Sequence, residues 1–166
     1  MLQPVRRRTW APRGKTPIQK SWDRRDRLSV AAAITVAPRR RRMGLYFRIH
    51  SHNIRSDDAI DFITLLHRHL RRGFILVLDR YNVHRKAVRV LGQKHPGWFD
   101  AEWLPAYAPD LNPVEQVWNH SKYSDLANFI PNDVAHLERA VEESILDQRE
   151  DAELLQAFFR YAKLSL

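Results

Sequence analysis

The sequence predicts a mixed α/β fold, a sheet flanked by helices, and three observations carry that expectation. Five apolar residues, Phe74-Ile-Leu-Val-Leu78, run directly into Asp79, as a buried strand does at its carboxyl end. Two β-rich runs upstream of it are spaced as a hairpin. Amphipathic helical stripes then alternate with the strands. The predicted order is strand, strand, helix, strand, helix, strand, helix and terminal helices, which is the pattern of an α/β sheet with helices on its faces.

The chain has 166 residues, enough for one domain with a substantial core. Its apolar fraction of 44% and charged fraction of 28% are ordinary for a globular protein. The net charge of +9 is not, and it is unevenly spread. Residues 1–55 carry 15 Lys/Arg against Asp23 and Asp26, a net of +13, while residues 56–166 carry 13 against 17 acids, a net of −4. A basic half joined to an acidic half fits a polyanionic partner, most simply nucleic acid. A solubilising surface explains composition alone equally well. There is no cysteine, which excludes disulfides and thiolate zinc sites and fits an intracellular chain. The N-terminus has no apolar signal core, and the longest apolar run, Leu28 to Ala37, is too short to span a membrane. A cytoplasmic protein with no membrane partner is expected.

Residues 1–27 form a basic Arg/Pro-rich lead-in with Trp10 and Trp22 interleaved and a turn at Pro12-Arg13-Gly14. Arg6, Arg7, Arg8, Arg13 and Lys15 are candidate phosphate contacts. The competing reading, slightly favoured for the aromatics, is a charged loop whose tryptophans pack on the domain. Leu28 to Ala37 reads as a strand rich in small and β-branched residues, and Gly44 to His50 as its hairpin partner. Arg39, Arg40, Arg41 and Arg42 lie at the tip, either gripping phosphate or keeping a solvated edge from pairing.

Ser56 is the expected N-cap of the next helix, with Asp57 and Asp58 favouring its dipole. Ile60, Phe62, Ile63, Leu66 and Leu70 make its apolar stripe, and Arg71-Arg72-Gly73 ends it. The strand to Asp79 follows, then a basic helix carrying Arg85 and Lys86 that stops near Pro96-Gly97. Phe99 to Leu104 is a short last strand. A Pro-rich loop, Leu104-Pro-Ala-Tyr-Ala-Pro-Asp110-Leu-Asn112-Pro-Val-Glu115, leads into a helix with Asn112 as N-cap and Pro113 at its first position. Beyond residue 131, Asn132 is the expected cap of a helix with an acidic outer face, and Leu154, Leu155, Phe158 and Phe159 mark a final one.

Asp79 at a strand end and Glu115 in a first helical turn are two carboxylates on rigid elements, able to converge on a divalent metal. Hard oxygen donors make Mg²⁺ or Mn²⁺ the natural ions. Glu115 has a rival role, because Asn112-Pro-Val-Glu115 has the spacing of a capping box, and spacing alone favours that reading. Asn82 and His84, just past Asp79, could orient substrate or a ligand, or simply lie on the surface. His50-x-His52 and His67-x-His69 lack partners at zinc-like spacing, and Asp57 and Asp58 read better as helix-start acids than as ligands. No His-Glu-x-x-His, Gly-rich phosphate loop or Gly-x-Ser-x-Gly elbow is present.

The segments Leu76-Val-Leu-Asp-Arg-Tyr-Asn-Val-His84 and Leu104-Pro-Ala-Tyr-Ala-Pro-Asp-Leu-Asn-Pro-Val-Glu-Gln-Val-Trp118 resemble the second and third motifs of DDE-type transposases. The resemblance is to the bacterial insertion-sequence branch of the mariner-like superfamily. It extends to Arg8-Thr-Trp-Ala-Pro-Arg-Gly-Lys-Thr-Pro17 and covers essentially the whole chain. The 35 residues between Asp79 and Glu115 are close to the family's spacing.

The resemblance implies an RNase H-like fold and DNA strand cleavage and transfer by in-line attack on a phosphodiester, with two metals about 3.5–4 Å apart. It makes Asp79 the second acid of a triad and Glu115 the third, and Asn112, within the third motif, joins Asn82 and His84 as a candidate substrate-orienting residue. In the family a first aspartate ends the strand before the Arg-Thr-Trp segment. Here seven residues precede that segment and none is acidic, while Asp23 and Asp26 fall after it.

The expectation is therefore a truncated RNase H-like core over 28–130, lacking its first strand, with a helical buttress over 131–166. The chain should be inactive alone, with a two-metal site only in the complete enzyme. The expected partners are DNA, an upstream-encoded part carrying a helix-turn-helix and the first aspartate, and a second copy of the chain. The setting is bacterial cytoplasm, at the nucleoid. A frameshift product and a decayed remnant both fit, and outside that ancestry stands a non-catalytic basic nucleic-acid-binding protein.

Overall fold

The computed structural model describes residues 5, 7–8, 10–15, 27–39 and 42–164. Arg6, Arg40 and Arg41, together with Trp22, Asp23 and Asp26, lie outside the described residues.

The hairpin forms as its sequence suggests. β1 (Ser29–Val36) pairs antiparallel with β2 (Met43–His50), in register from Ser29 opposite His50 to Val36 opposite Met43. Gly44 faces Thr35, and a Cβ at Gly44 would meet Thr35 Oγ1 at 3.0 Å, so the ladder closes there only around a glycine. β3 (Phe74–Leu78) pairs in parallel with β4 (Phe99–Trp103). A bond from Leu104 N–H to the Leu78 carbonyl, 2.8 Å, carries that ladder one step beyond the assigned strands.

The single mixed sheet expected from the element order is not what the described residues form. They make two separate two-stranded ladders, since β1 pairs only with β2 and β3 only with β4. Two strands are marginal alone, so each ladder depends on its own helices. β1 and β2 share a core with α3 (Val114–His120), α4 (Val134–Glu150) and α5 (Ala152–Tyr161), centred on Leu28, Leu45, Val117, Val141, Ile145 and Leu155. β3 and β4 pack against α1 (Ser56–Leu70) and α2 (Asn82–Lys94) through Ala59, Ile63, Leu76, Ala87 and Leu91.

β3 is also less buried than a continuous apolar run suggests. Leu76 is 8% exposed, yet its neighbours Ile75 and Val77 are 68% and 57% exposed. Alternate residues of a strand face opposite ways, and the helices cover only the Leu76 face.

Three helix starts differ from their sequence assignments by one residue. α1 is capped at Arg55, whose N–H donates to Asp58 Oδ2 at 2.7 Å, so Ser56 is the first helical residue instead of the cap. α4 is capped by Asp133, which accepts from His136 N–H at 2.6 Å, while Asn132 donates its N–H to the His136 ring. At both starts a carboxylate takes a nearby backbone N–H: Asp58, third residue of α1, that of Arg55, and Asp133, the cap of α4, that of His136. α3 begins at Val114 by hydrogen bonding, although Pro113 already has helical dihedrals of −62° and −22°.

α3 runs on into a π-helical turn, Ser121–Asp125. A buried chain of polar contacts ties that turn to α4: Gln148 Nε2 donates to Ser121 Oγ at 2.8 Å, Ser121 and Ser144 hydroxyls meet at 2.7 Å, and Ser144 donates to Asp125 at 2.7 Å. α3, which carries Glu115, is thereby fixed from its far end. No helix among the described residues is long and apolar enough to cross a membrane.

Candidate active site

Asp79 is the first residue past β3, where the strand gives way to α2. Its Oδ1 accepts from Tyr81 N–H at 3.1 Å, an Asx-type turn that redirects the chain into the helix. The same oxygen meets His84 Nδ1 at 2.6 Å. Two donors on Oδ1 leave Oδ2 without a hydrogen bond among the described residues, so the carboxylate is oriented at one oxygen and open at the other. Arg80 Nε donates to the Leu104 carbonyl at 3.2 Å and locks the end of β3 to the end of β4.

Glu115 lies in the first turn of α3. The capping box favoured by its spacing does not form. Asn112 N–H, the group Glu115 would have to reach, instead donates to the Pro109 carbonyl at 2.9 Å and closes the 3₁₀ turn Pro109–Leu111. Asn112 still caps the helix through its own side chain, with Oδ1 accepting from Val114 N–H at 3.2 Å. The motif thus caps its helix without Glu115, and that carboxylate makes no hydrogen bond among the described residues.

Burial pushes the Glu115 carboxyl above its ordinary value; Lys122 opposes this, and the negative charge of Asp79 adds to it. The two acids, with 35 residues between them in sequence, are therefore near enough for the Asp79 charge to act on Glu115. A partly buried carboxyl raised by its own burial, with a second acid adding to the effect, marks a candidate functional site. Their chemistry fits a hard divalent cation, because such ions are held by one or two carboxylates with phosphate and water completing the shell.

Of the other residues singled out by sequence, His84 joins the site through Asp79. Asn82 opens α2 as an exposed residue, and Asn112 acts on its own helix. Arg85 and Lys86 are exposed on α2. Arg80 and Trp103, which sequence reasoning passed over, line with Arg85 a hollow of about 370 Å³. A cation directly following the acid, and an aromatic at the end of the neighbouring strand, were the available signals.

Arg8, Arg13, Lys15, Arg39 and Arg42 are exposed. Arg7 is engaged: its N–H donates to Asn128 Oδ1 at 2.7 Å and its guanidinium to the Tyr123 carbonyl, pinning the lead-in to the loop after α3. Trp10 is fully exposed, so for it the packed-aromatic reading does not hold.

A family model described as DDE superfamily endonuclease matches residues 1–138. Among solved structures, the chain is similar to the crystal structure of the Mos1 strand transfer complex, with a TM-score of 0.60 and 16% identity. That match covers 96% of this chain and 46% of the other, so the chain spans about half the length of its structural relative. At this identity the likeness shows the fold, an RNase H-like mixed α/β architecture with small sheets flanked by helices. No curated protein matches the sequence.

Proposed function

The chain belongs to the DDE superfamily of endonucleases, and from that premise we propose that it contributes two of the metal-binding carboxylates of a DNA transposase, Asp79 and Glu115. The observation that supports this best is the Glu115 carboxylate at the start of α3, partly buried and without a hydrogen bond among the described residues, whose pKa is raised by burial, with Lys122 opposing and Asp79 adding to the rise. A capping glutamate would have its carboxylate turned back onto Asn112, and here that position is filled by a backbone carbonyl.

Asp79 and Glu115 would hold a divalent ion, Mg²⁺ or Mn²⁺, which when bound supplies Lewis-acid stabilisation of charge on a phosphodiester. His84 and the Tyr81 N–H hold Asp79 Oδ1 so that Oδ2 faces outward. Arg80, next in sequence to Asp79, and Arg85 line one hollow, where their positive charge would suit a DNA phosphate. Trp103 offers a flat face in the same hollow, suited to a base or sugar. The exposed Arg8, Arg13, Lys15, Arg39, Arg42 and Lys86 extend a polyanion surface whose contacts carry no sequence information.

Asp79 and Glu115 supply two carboxylates where the family's chemistry uses three. We infer that these two carboxylates alone do not sustain efficient DNA cleavage. The same reading places the chain on DNA in a bacterial cytoplasm, as part of an insertion-sequence element, with a second copy as a further partner.

Manganese titration of the whole chain, followed by loss of the free-ion paramagnetic resonance signal, tests the site directly. Saturable binding that disappears in Asp79→Asn and in Glu115→Gln is the expected result. Binding of equal strength in both variants overturns the reading and leaves a non-catalytic DNA-binding protein.

A further inference from the structure

Three side chains that the transposase chemistry does not use meet where β2 gives way to α1. His50 is the last residue of β2, His52 follows two residues later, and Asp58 sits in the first turn of α1. Their potential ligand atoms all lie within 4.8 Å of one another. His52 Nε2 is 3.1 Å from Asp58 Oδ2 and 3.3 Å from Oδ1, and His50 Nδ1 is 3.7 Å from Oδ1. The two imidazoles stand edge to face, with centroids 5.2 Å apart.

We propose that His50, His52 and Asp58 form a binding site for a borderline divalent cation of the zinc type, fastening the end of β2 to the start of α1. Donors around a tetrahedral zinc, each about 2.0–2.1 Å from the metal, stand about 3.3 Å from one another. The His52–Asp58 separation of 3.1–3.3 Å already has that value, and His50 Nδ1 lies 3.7 Å from Asp58 and within 4.8 Å of the other two ligand atoms. Two imidazoles with one carboxylate suit zinc and its neighbours in the first transition row, whereas Mg²⁺ prefers an all-oxygen shell. The preference is thus opposite to that of Asp79 and Glu115.

A plain ion pair between His52 and Asp58 accounts for only part of this arrangement. It leaves His50 unexplained. The His50 side chain is 11% exposed, its Nε2 is buried with no hydrogen-bond partner, and 3.7 Å is too long for a bond from Nδ1 to the carboxylate. Among the described residues, then, a nearly buried imidazole turns Nδ1 toward Asp58 at 3.7 Å without a hydrogen bond, and a cation between them would give that nitrogen a partner.

Asp58 is already oriented for the task. Its Oδ2 is held by Arg55 N–H at 2.7 Å, and Oδ1 is turned toward the two histidines. His52, at 47% exposure, is the outer ligand, and its side is open for a water in the fourth position. Sequence spacing hid the site because the carboxylate comes from a helix cap, where an acid needs no other explanation.

Zinc titration of the whole chain in excess Mg²⁺, by calorimetry and by thermal unfolding, tests the proposal. The expected result is saturable binding of one zinc with a rise in Tm, and tetrahedral-type visible absorption when Co²⁺ replaces zinc. His52→Ala alters an exposed residue and should fold, and it should weaken zinc by about tenfold or more. Asp58→Asn keeps an oxygen for the cap and should weaken it similarly, while Asp79→Ala should leave it unchanged. Zinc affinity unaffected by His52→Ala and Asp58→Asn, binding lost in Asp79→Ala, or no uptake at micromolar zinc by the folded chain would each overturn the proposal.

Discussion

His84 Nδ1 stands 2.6 Å from Asp79 Oδ1, spanning five residues across the turn from β3 into α2. The bond exists because the Asx turn at Tyr81 brings the first turn of the helix back over the strand end. It fixes the orientation of a half-exposed carboxylate that would otherwise rotate freely. Replacing His84 by Ala should weaken Mn²⁺ binding by roughly 10–100-fold, as loss of a ligand's supporting partner typically does. His84→Gln, which can still donate to Asp79, should recover part of it. Paramagnetic titration of the two variants, with circular dichroism as the check on folding, measures the effect.

Glu115 should report on the site through pH. Its folded pKa is raised by burial and, in smaller part, by Asp79, above the ordinary value of 4.5. The native state then holds a proton that the unfolded chain has released. The stability linked to this group is fully present below pH 4.5 and is lost as pH rises through the folded pKa. Asp79→Asn should lower the Glu115 pKa, and a divalent ion should lower it further. Carboxyl-carbon NMR titration of Glu115 in the parent and in Asp79→Asn gives both shifts; an unchanged pKa in the variant would mean that the acids do not sense each other.

The two faces of β3 should respond differently to truncation. Leu76→Ala empties a buried position between the ladder and its helices and should cost about 2–5 kcal/mol. Ile75→Ala removes an exposed side chain and should change stability by no more than about 0.5 kcal/mol. Urea unfolding of the two variants side by side decides this.

DNA binding should be salt-sensitive and tolerant of sequence. Arg85 and Lys86 are exposed on α2, beside the hollow shared with Arg80 and Trp103. Changing both to Ala should reduce the dependence of log K on log salt by about 2. Fluorescence anisotropy on unrelated duplexes across a salt series checks the claim. A salt-independent affinity would remove phosphate contact as the basis of binding.

Much of this architecture was legible because it rests on local chemistry. An apolar run that stops at Asp79 can hardly be anything but a strand end, and Asn112-Pro113 announces a helix start whatever surrounds it. The hairpin's two strands were legible from their β-rich runs and their spacing. The helix caps were less legible by one residue, because neighbouring polar side chains compete for the same N–H groups and only distance chooses between them.

What the sequence by itself determined was which residues could do chemistry: two acids on rigid ends, with the residue types of the DDE motifs around them. The tertiary structure decided which of those capacities were left free. Asn112-Pro-Val-Glu115 is compatible with a capping box and with a metal ligand, and only the capture of Asn112 N–H by the Pro109 carbonyl releases the glutamate. His84 and Asp58 gain their partners in the same way, through turns that bring residues five and more positions apart within bonding range. Strand pairing is likewise not written in any one segment. A strand's apolar pattern says that it needs neighbours, but its hydrogen bonds go to whichever backbone folding places 4.7–4.9 Å away, and here each strand finds one.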